Sequence, residues 1–159
     1  MNALKESAQR VQNMSLLKGY TNEVIELPDS TRTAVEAAQA LQCEVGQIAK
    51  SIVFKLKESE LPLLVVADGS NRINEKHVTM ILGESLEKAD ADFVKDRIGF
   101  VIGGVSPVMD SQEFKILIDE DLLQFNAIWA AAGHPKAVFQ LIPQELVEMS
   151  KGTVLSVTG

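Results

Sequence analysis

One cysteine, two histidines, one tryptophan and one tyrosine in 159 residues leave several chemistries without their usual side chains. Cys43 has no partner for an internal disulfide, and one thiol with His77 and His134 makes no zinc-ligand spacing. Neither a disulfide framework, nor a metal, nor any other cofactor is expected. Positive charge is scarce as well: 15 Lys and Arg against 22 Asp and Glu give a net charge of −7. Non-specific nucleic-acid affinity rests on phosphate neutralisation, so this balance argues against DNA binding. An RNA contact is expected to be small or helped by another protein. No apolar run approaches the roughly 18 residues of a membrane span. The start, Met1-Asn2-Ala3-Leu4-Lys5-Glu6, lacks the charged-then-apolar plan of a signal peptide. No membrane association and a cytoplasmic location are the expectation. A Gly-x-Ser-x-Gly elbow, a phosphate-binding glycine loop and a paired-histidine metal site are all missing, which leaves covalent hydrolases, nucleotide enzymes and metallohydrolases unsupported.

What is present suits one globular domain: 46% apolar and 23% charged residues in a chain long enough for one sizeable core. Three- and four-residue apolar steps predict a helix from Leu4 to Leu17, and alternation predicts a short strand over Glu23 to Leu27, followed by a turn through Pro28, Asp29 and Ser30. Thr33 and Glu36 have capping-box spacing and open an alanine-rich helix to Leu41. Lys50 to Lys57 alternates as a strand, Pro62 to Asp68 is a nearly continuous apolar strand, and Glu58 to Leu61 joins them as a hairpin. Helices follow over Asn74–Leu82 and Ala89–Ile98. Strands are expected at Phe100–Ile102, Phe114–Ile118, Ala137–Leu141 and Thr153–Val157, with a last helix from Pro143. Strands and helices mixed in this order predict an α/β protein with one mixed sheet and helices packed on it.

Lys50 draws attention because its strand parity matches that of Ile52, Phe54 and Leu56, which turns its stem toward the apolar side. A lysine at a strand mouth either lies in solvent or presents one fixed positive charge to a pocket, and this parity weakens the solvent reading. Two glycine-bearing stretches offer such a pocket. Gly103-Gly104-Val105-Ser106-Pro107 is either an ordinary connection between strands or a loop whose glycines let main-chain amides approach a ligand, with the proline stiffening the exit. In Ala131-Ala132-Gly133-His134-Pro135 small residues suit close backbone approach or a shallow wall. His134 is either a general base or a loop residue serving shape. Asp68, at a strand end, either borders the pocket or makes the turn. Cys43 sits beside Glu44, and an adjacent acid raises a thiol pKa, which argues against a nucleophile.

The three pieces together, Gly46–Phe54 with Lys50, Gly103-x-x-x-Pro107 and Ala131–Pro135, resemble the YbaK / prolyl-tRNA synthetase-associated domain family of aminoacyl-tRNA editing domains. The resemblance covers about residues 30 to 158, with 1–29 as an N-terminal helix and strand within a single domain. It implies a mixed α/β fold with a curved, barrel-like sheet. It also implies deacylation of a mischarged small amino acid (Ala, Ser, Thr or Cys) from tRNA(Pro), assisted by the substrate's own ribose hydroxyl.

By this resemblance Lys50 matches the family's pocket lysine, and Ser51 a neighbouring position that helps set which amino acid is accepted. Gly103, Gly104, Val105, Ser106 and Pro107, with Gly133, His134 and Pro135, match the loops lining the site. The implied partners are the acceptor end of tRNA(Pro) and, for tRNA specificity, prolyl-tRNA synthetase or an elongation factor. A non-catalytic module of the same fold, holding an aminoacyl-tRNA or a synthetase, is the competing reading. A thiol-dependent enzyme using Cys43 is a third.

Overall fold

The computed structural model describes residues 4–27, 33–108 and 114–159; the turn expected through Pro28, Asp29 and Ser30 lies outside them. Five α-helices and eight strands are found among the described residues: α1 (Glu6–Leu17), β1 (Val24–Glu26), α2 (Ala34–Leu41), β2 (Ile48–Leu56), β3 (Pro62–Asp68), α3 (Glu75–Leu82), β4 (Leu86–Lys88), α4 (Ala91–Ile98), β5 (Lys115–Asp119), β6 (Ile128–Ala131), β7 (Ala137–Leu141), α5 (Pro143–Ser150) and β8 (Thr153–Leu155). The strands form one mixed sheet in the order β1-β7-β6-β2-β3-β5-β8, with β4 also on β2. The path runs from β1 to β8 without joining them, so the barrel-like sheet is open.

The helix ends follow the capping residues. The Thr33 hydroxyl accepts from Glu36 N at 3.1 Å at the start of α2, and Asn74 Oδ1 accepts from His77 N at 3.1 Å at the start of α3. Asp90 Oδ1 accepts from Phe93 N at 2.8 Å before α4. Each takes up an N–H that the first helical turn leaves unpaired.

β3 is buried along all seven residues because both of its faces are covered. Leu64 and Val66 join a core with α1, α4 and α5, through Val11, Val94 and Leu146 among others. Leu63, Val65 and Ala67 face the opposite way, with Phe54, Leu56 and Val78 of α3. Hence the unbroken apolar run, where a strand with one wet face would alternate. A third cluster sets Ala37 and Ala38 of α2 against Ile48, with Trp129 packed beside them. The alanines of α2 let the helix sit close to the sheet.

One expectation changes. Phe100-Val101-Ile102 is not a strand but the start of a turn, closed by Gly104 N donating to Val101 O at 2.9 Å. Gly99 and Gly103, both at φ +90, bracket the segment and bend it. Phe100 is buried, whereas Val101 and Ile102 stand 45% and 54% exposed. Conversely, Leu86–Lys88 and Ile128–Ala131 are strands that no pattern announced.

Candidate functional site

β2 pairs with β6 only through Ile48↔Trp129 and Ala49↔Ala130, while its pairing with β4 begins at Phe54. Between those points no strand among the described residues pairs with this edge of β2. A cavity of about 60 Å³ lies at the opening, lined by Ile48, Ala49, Lys50 and Ser51 of β2, Trp129, Ala130 and Ala131 of β6, Thr33, Ala34 and Ala37 at α2, Gly103 and Val138. That volume holds a few heavy atoms. A larger open groove, about 420 Å³, lies at the far end of β2 between Leu56, Pro62, Leu82 and Phe114. Its charged lining residues are Glu84, which accepts from Ser59 N, and the exposed Lys115.

Lys50 shares its face of β2 with Ile48, which α2 covers, and Ile52, which packs into the cluster containing α3. Its half-buried ammonium donates to the main-chain carbonyl of Asn71 at 2.5 Å. Asn71 is itself held: its side-chain amide donates to Asp119 Oδ2 at 2.9 Å and to Asp121 Oδ2 at 2.7 Å. Asp119, 1% exposed, also accepts from Asp68 N at 3.0 Å and from Asp121 N at 3.0 Å. Parallel pairing of β3 with β5, ending at Val66↔Ile118, brings Asp68 and Asp119 together. Asp68, 3% exposed, makes the turn by accepting from Ser70 N at 2.8 Å and Ser70 Oγ at 2.5 Å, and it does not line the cavity.

Burial pushes the Lys50 ammonium below the ordinary lysine value. The carboxylates of Asp68 and Asp119 pull it back up, and the positive charge of Arg72 adds to the depression. Ser51 Oγ is buried without a hydrogen-bond partner among the described residues, on a residue that lines the same cavity. A buried hydroxyl with nothing to bond is costly unless a ligand completes it.

Of the residues anticipated in the two loops, only Gly103 lines the cavity with Lys50 and Ser51. Gly104 lies behind it, where a Cβ would come within 2.8 Å of the His134 main chain. Val105, Ser106 and Pro107 are buried, and Ser106 Oγ accepts from Val108 N at 3.0 Å. The Gly104 amide is committed to Val101 O, whereas the Gly103 N–H has no intramolecular acceptor among the described residues. Gly133, at φ +93, packs on α1: a Cβ there would stand 2.3 Å from Ser7 O. His134 Nδ1 accepts from Lys136 N at 3.1 Å, so a neutral ring carries its proton on Nε2 and offers no free lone pair. Pro135 is half-buried in the same loop.

Trp129, Thr33, Ala34 and Ala37 were not among the anticipated site residues. The alanine content of α2 was the available signal for the last two. Cys43 lies outside the cavity lining, and burial, with the Glu44 carboxylate second, raises its thiol pKa.

The family model of the aminoacyl-tRNA editing domain matches residues 28–149, and the chain belongs to this family. Among solved structures, a candidate trans-editing enzyme for prolyl-tRNA synthetase is 40% identical, with a TM-score of 0.91 over 99% of each chain. Among relatives, the uncharacterised protein YwhH of Bacillus subtilis is 30% identical over 129 residues, covering 81% of this chain and 82% of its own. EbsC of Enterococcus faecalis, named as a candidate Cys-tRNA(Pro)/Cys-tRNA(Cys) deacylase, is 25% identical over 129 residues, covering 79% and 77%. The mixed α/β architecture is thus that of an aminoacyl-tRNA editing domain.

Proposed function

We propose that this protein is a trans-acting deacylase that hydrolyses a small, wrongly attached amino acid (alanine, serine, threonine or cysteine) from tRNA(Pro). The observation that carries the reading is the junction of Lys50, Ser51 and Gly103 on one small cavity walled by Ala49, Ala130 and Ala131. Family membership and the names of the two similar proteins given above supply the reaction class.

An aminoacyl ester is already activated, so water needs positioning and the oxyanion needs stabilising. In the reaction, water oxygen bonds to the ester carbonyl carbon and the bond from that carbon to the ribose oxygen breaks. One proton goes to the ribose oxygen, and the amino acid leaves as its carboxylate after releasing the other. The Lys50 ammonium anchors the terminal adenosine phosphate or the carbonyl side of the ester. The uncommitted Gly103 N–H is the loop donor best placed to hold the ester oxygen. The neighbouring ribose hydroxyl orients the water, which leaves no proton-transfer task for His134.

Ser51 Oγ completes its hydrogen bonding on the amino acid. A small apolar pocket discriminates weakly by methylene count but rejects a larger side chain by steric exclusion. The short walls therefore admit the small residues and spare proline. Local contact at the acceptor end, with a synthetase or elongation factor supplying further affinity, suits a chain of net charge −7.

A deacylation panel tests the reading: tRNA(Pro) charged with alanine, serine, threonine, cysteine or proline, with alanine and cysteine on their own tRNAs as further arms. Release of at least one small amino acid with proline left attached is expected. Retention of every ester, with the tRNA bound, would instead establish a non-catalytic binding module.

A further inference from the structure

Helix α1 ends before residue 28, where the family match begins, yet it touches Gly133 of one loop of the site and the Gly99–Phe100 segment that leads into the other. We propose that Arg10 on α1 is a positioning residue for the site, fixing the turn that presents Gly103. This inference rests on the deacylase reading for its kinetic consequence, but not for its structural one.

The contacts form a ring. The Arg10 guanidinium donates to Gly99 O at 3.2 Å and stands 4.3 Å from the centroid of the buried Phe100 ring. From Phe100 the chain enters the turn closed by Gly104 N to Val101 O, with Gly103 inside it. Gly104 then abuts the His134 main chain, where even a methyl group would approach to 2.8 Å. One residue back, Gly133 abuts α1, where a Cβ would come within 2.3 Å of Ser7 O and 2.9 Å of Val11 Cγ2. The ring closes on the helix that carries Arg10.

The outward side of the turn gives little support, because Val101 and Ile102 are exposed there. Among the described residues Gly103 is held on one side by Phe100, buried in the main core and clamped by Arg10 through its ring and Gly99, and on the other by Gly104 against His134 and by the buried Val105. Helix α1 does not depend on Arg10 for its own attachment, since Ala8, Val11 and Met14 are buried in the main core. Removing the guanidinium loosens one end of the turn while the helix stays docked.

The test compares wild type with Arg10→Met, which keeps an unbranched stem over Phe100 but loses donor and charge, and with Arg10→Lys, which restores a cation over the ring. Amide hydrogen exchange at Gly104, whose N–H is bonded to Val101 O, is expected to quicken about tenfold or more in Arg10→Met, with β3 unchanged and Arg10→Lys in between. With the substrate found by the panel, kcat should fall about ten- to a hundredfold while KM changes little, again with partial recovery in Arg10→Lys. Unchanged exchange at Gly104 overturns the anchoring, and loosened exchange with unchanged kcat overturns the positioning role. A wild type that hydrolyses no ester overturns the deacylase reading instead, and the exchange result still decides the anchoring.

Discussion

The Lys50 ammonium and the Asn71 carbonyl lie 2.5 Å apart, and the two carboxylates that grip the Asn71 side chain fix where that carbonyl stands. The positive charge is thus located by a loop that carboxylates on and after β5 hold in place.

Asp119 is the keystone of this arrangement. Asp119→Ala leaves Asp68 N and Asp121 N without their acceptor and takes one of the two bonds of the Asn71 amide, at a cost of about 2–4 kcal/mol. Urea denaturation measures it. Asp119→Asn keeps one acceptor oxygen and should lose less.

Activity should decline at alkaline pH. Lys50 serves as an anchor in its charged form, and its value in the folded protein lies below that of a free lysine. The alkaline limb of kcat/KM, measured above the uncatalysed ester hydrolysis, therefore begins below the ordinary lysine value. Asp119→Asn removes a charge that favours the ammonium, so the limb should move to lower pH. Stability moves in the opposite sense. A lysine depressed in the folded state costs stability where both states are charged, and that cost disappears as pH rises from the folded value to the unfolded one. The stability deficit of wild type relative to Lys50→Met should shrink across that window.

Gly133→Ala should destabilise the protein by at least about 2 kcal/mol, because it combines positive φ with a methyl group driven into Ser7 O. The fall in melting temperature should be accompanied by lost deacylation. A mild substitution elsewhere on α1, such as Gln9→Ala, should produce neither.

Alkylation of Cys43 should leave turnover unchanged, since the thiol lies outside the cavity lining and its raised pKa disfavours the thiolate. Deacylation assays before and after iodoacetamide treatment check this, with mass spectrometry to confirm modification.

Much of the fold was legible because the local signals were self-contained. The Thr33–Glu36 box, the Asn74 cap and the Gly83 stop set helix ends from within four residues. Strand parity alone turned Lys50 inward. The alternation failed at Phe100–Ile102, where three apolar residues suggested a strand but glycines at either end bend the chain away from the sheet. β4 and β6 escaped notice because one is three residues with two charges and the other is four residues, half of them alanine, with no alternation.

The least legible feature was the support of Lys50. Asp68 and Asp119 meet only because β3 and β5 pair in parallel, 51 residues apart in sequence, and neither acid stands in a motif. Likewise, nothing local revealed that α1 presses on Gly133, a relation set by tertiary packing.

The most direct test of the central claim is single-turnover release of the small amino acid that the panel identifies from tRNA(Pro), by wild type and by Lys50→Ala. The account predicts release by wild type and a loss of about a hundredfold or more in Lys50→Ala, with the melting temperature within a few degrees of wild type. Release by a folded Lys50→Ala variant at the wild-type rate would contradict it.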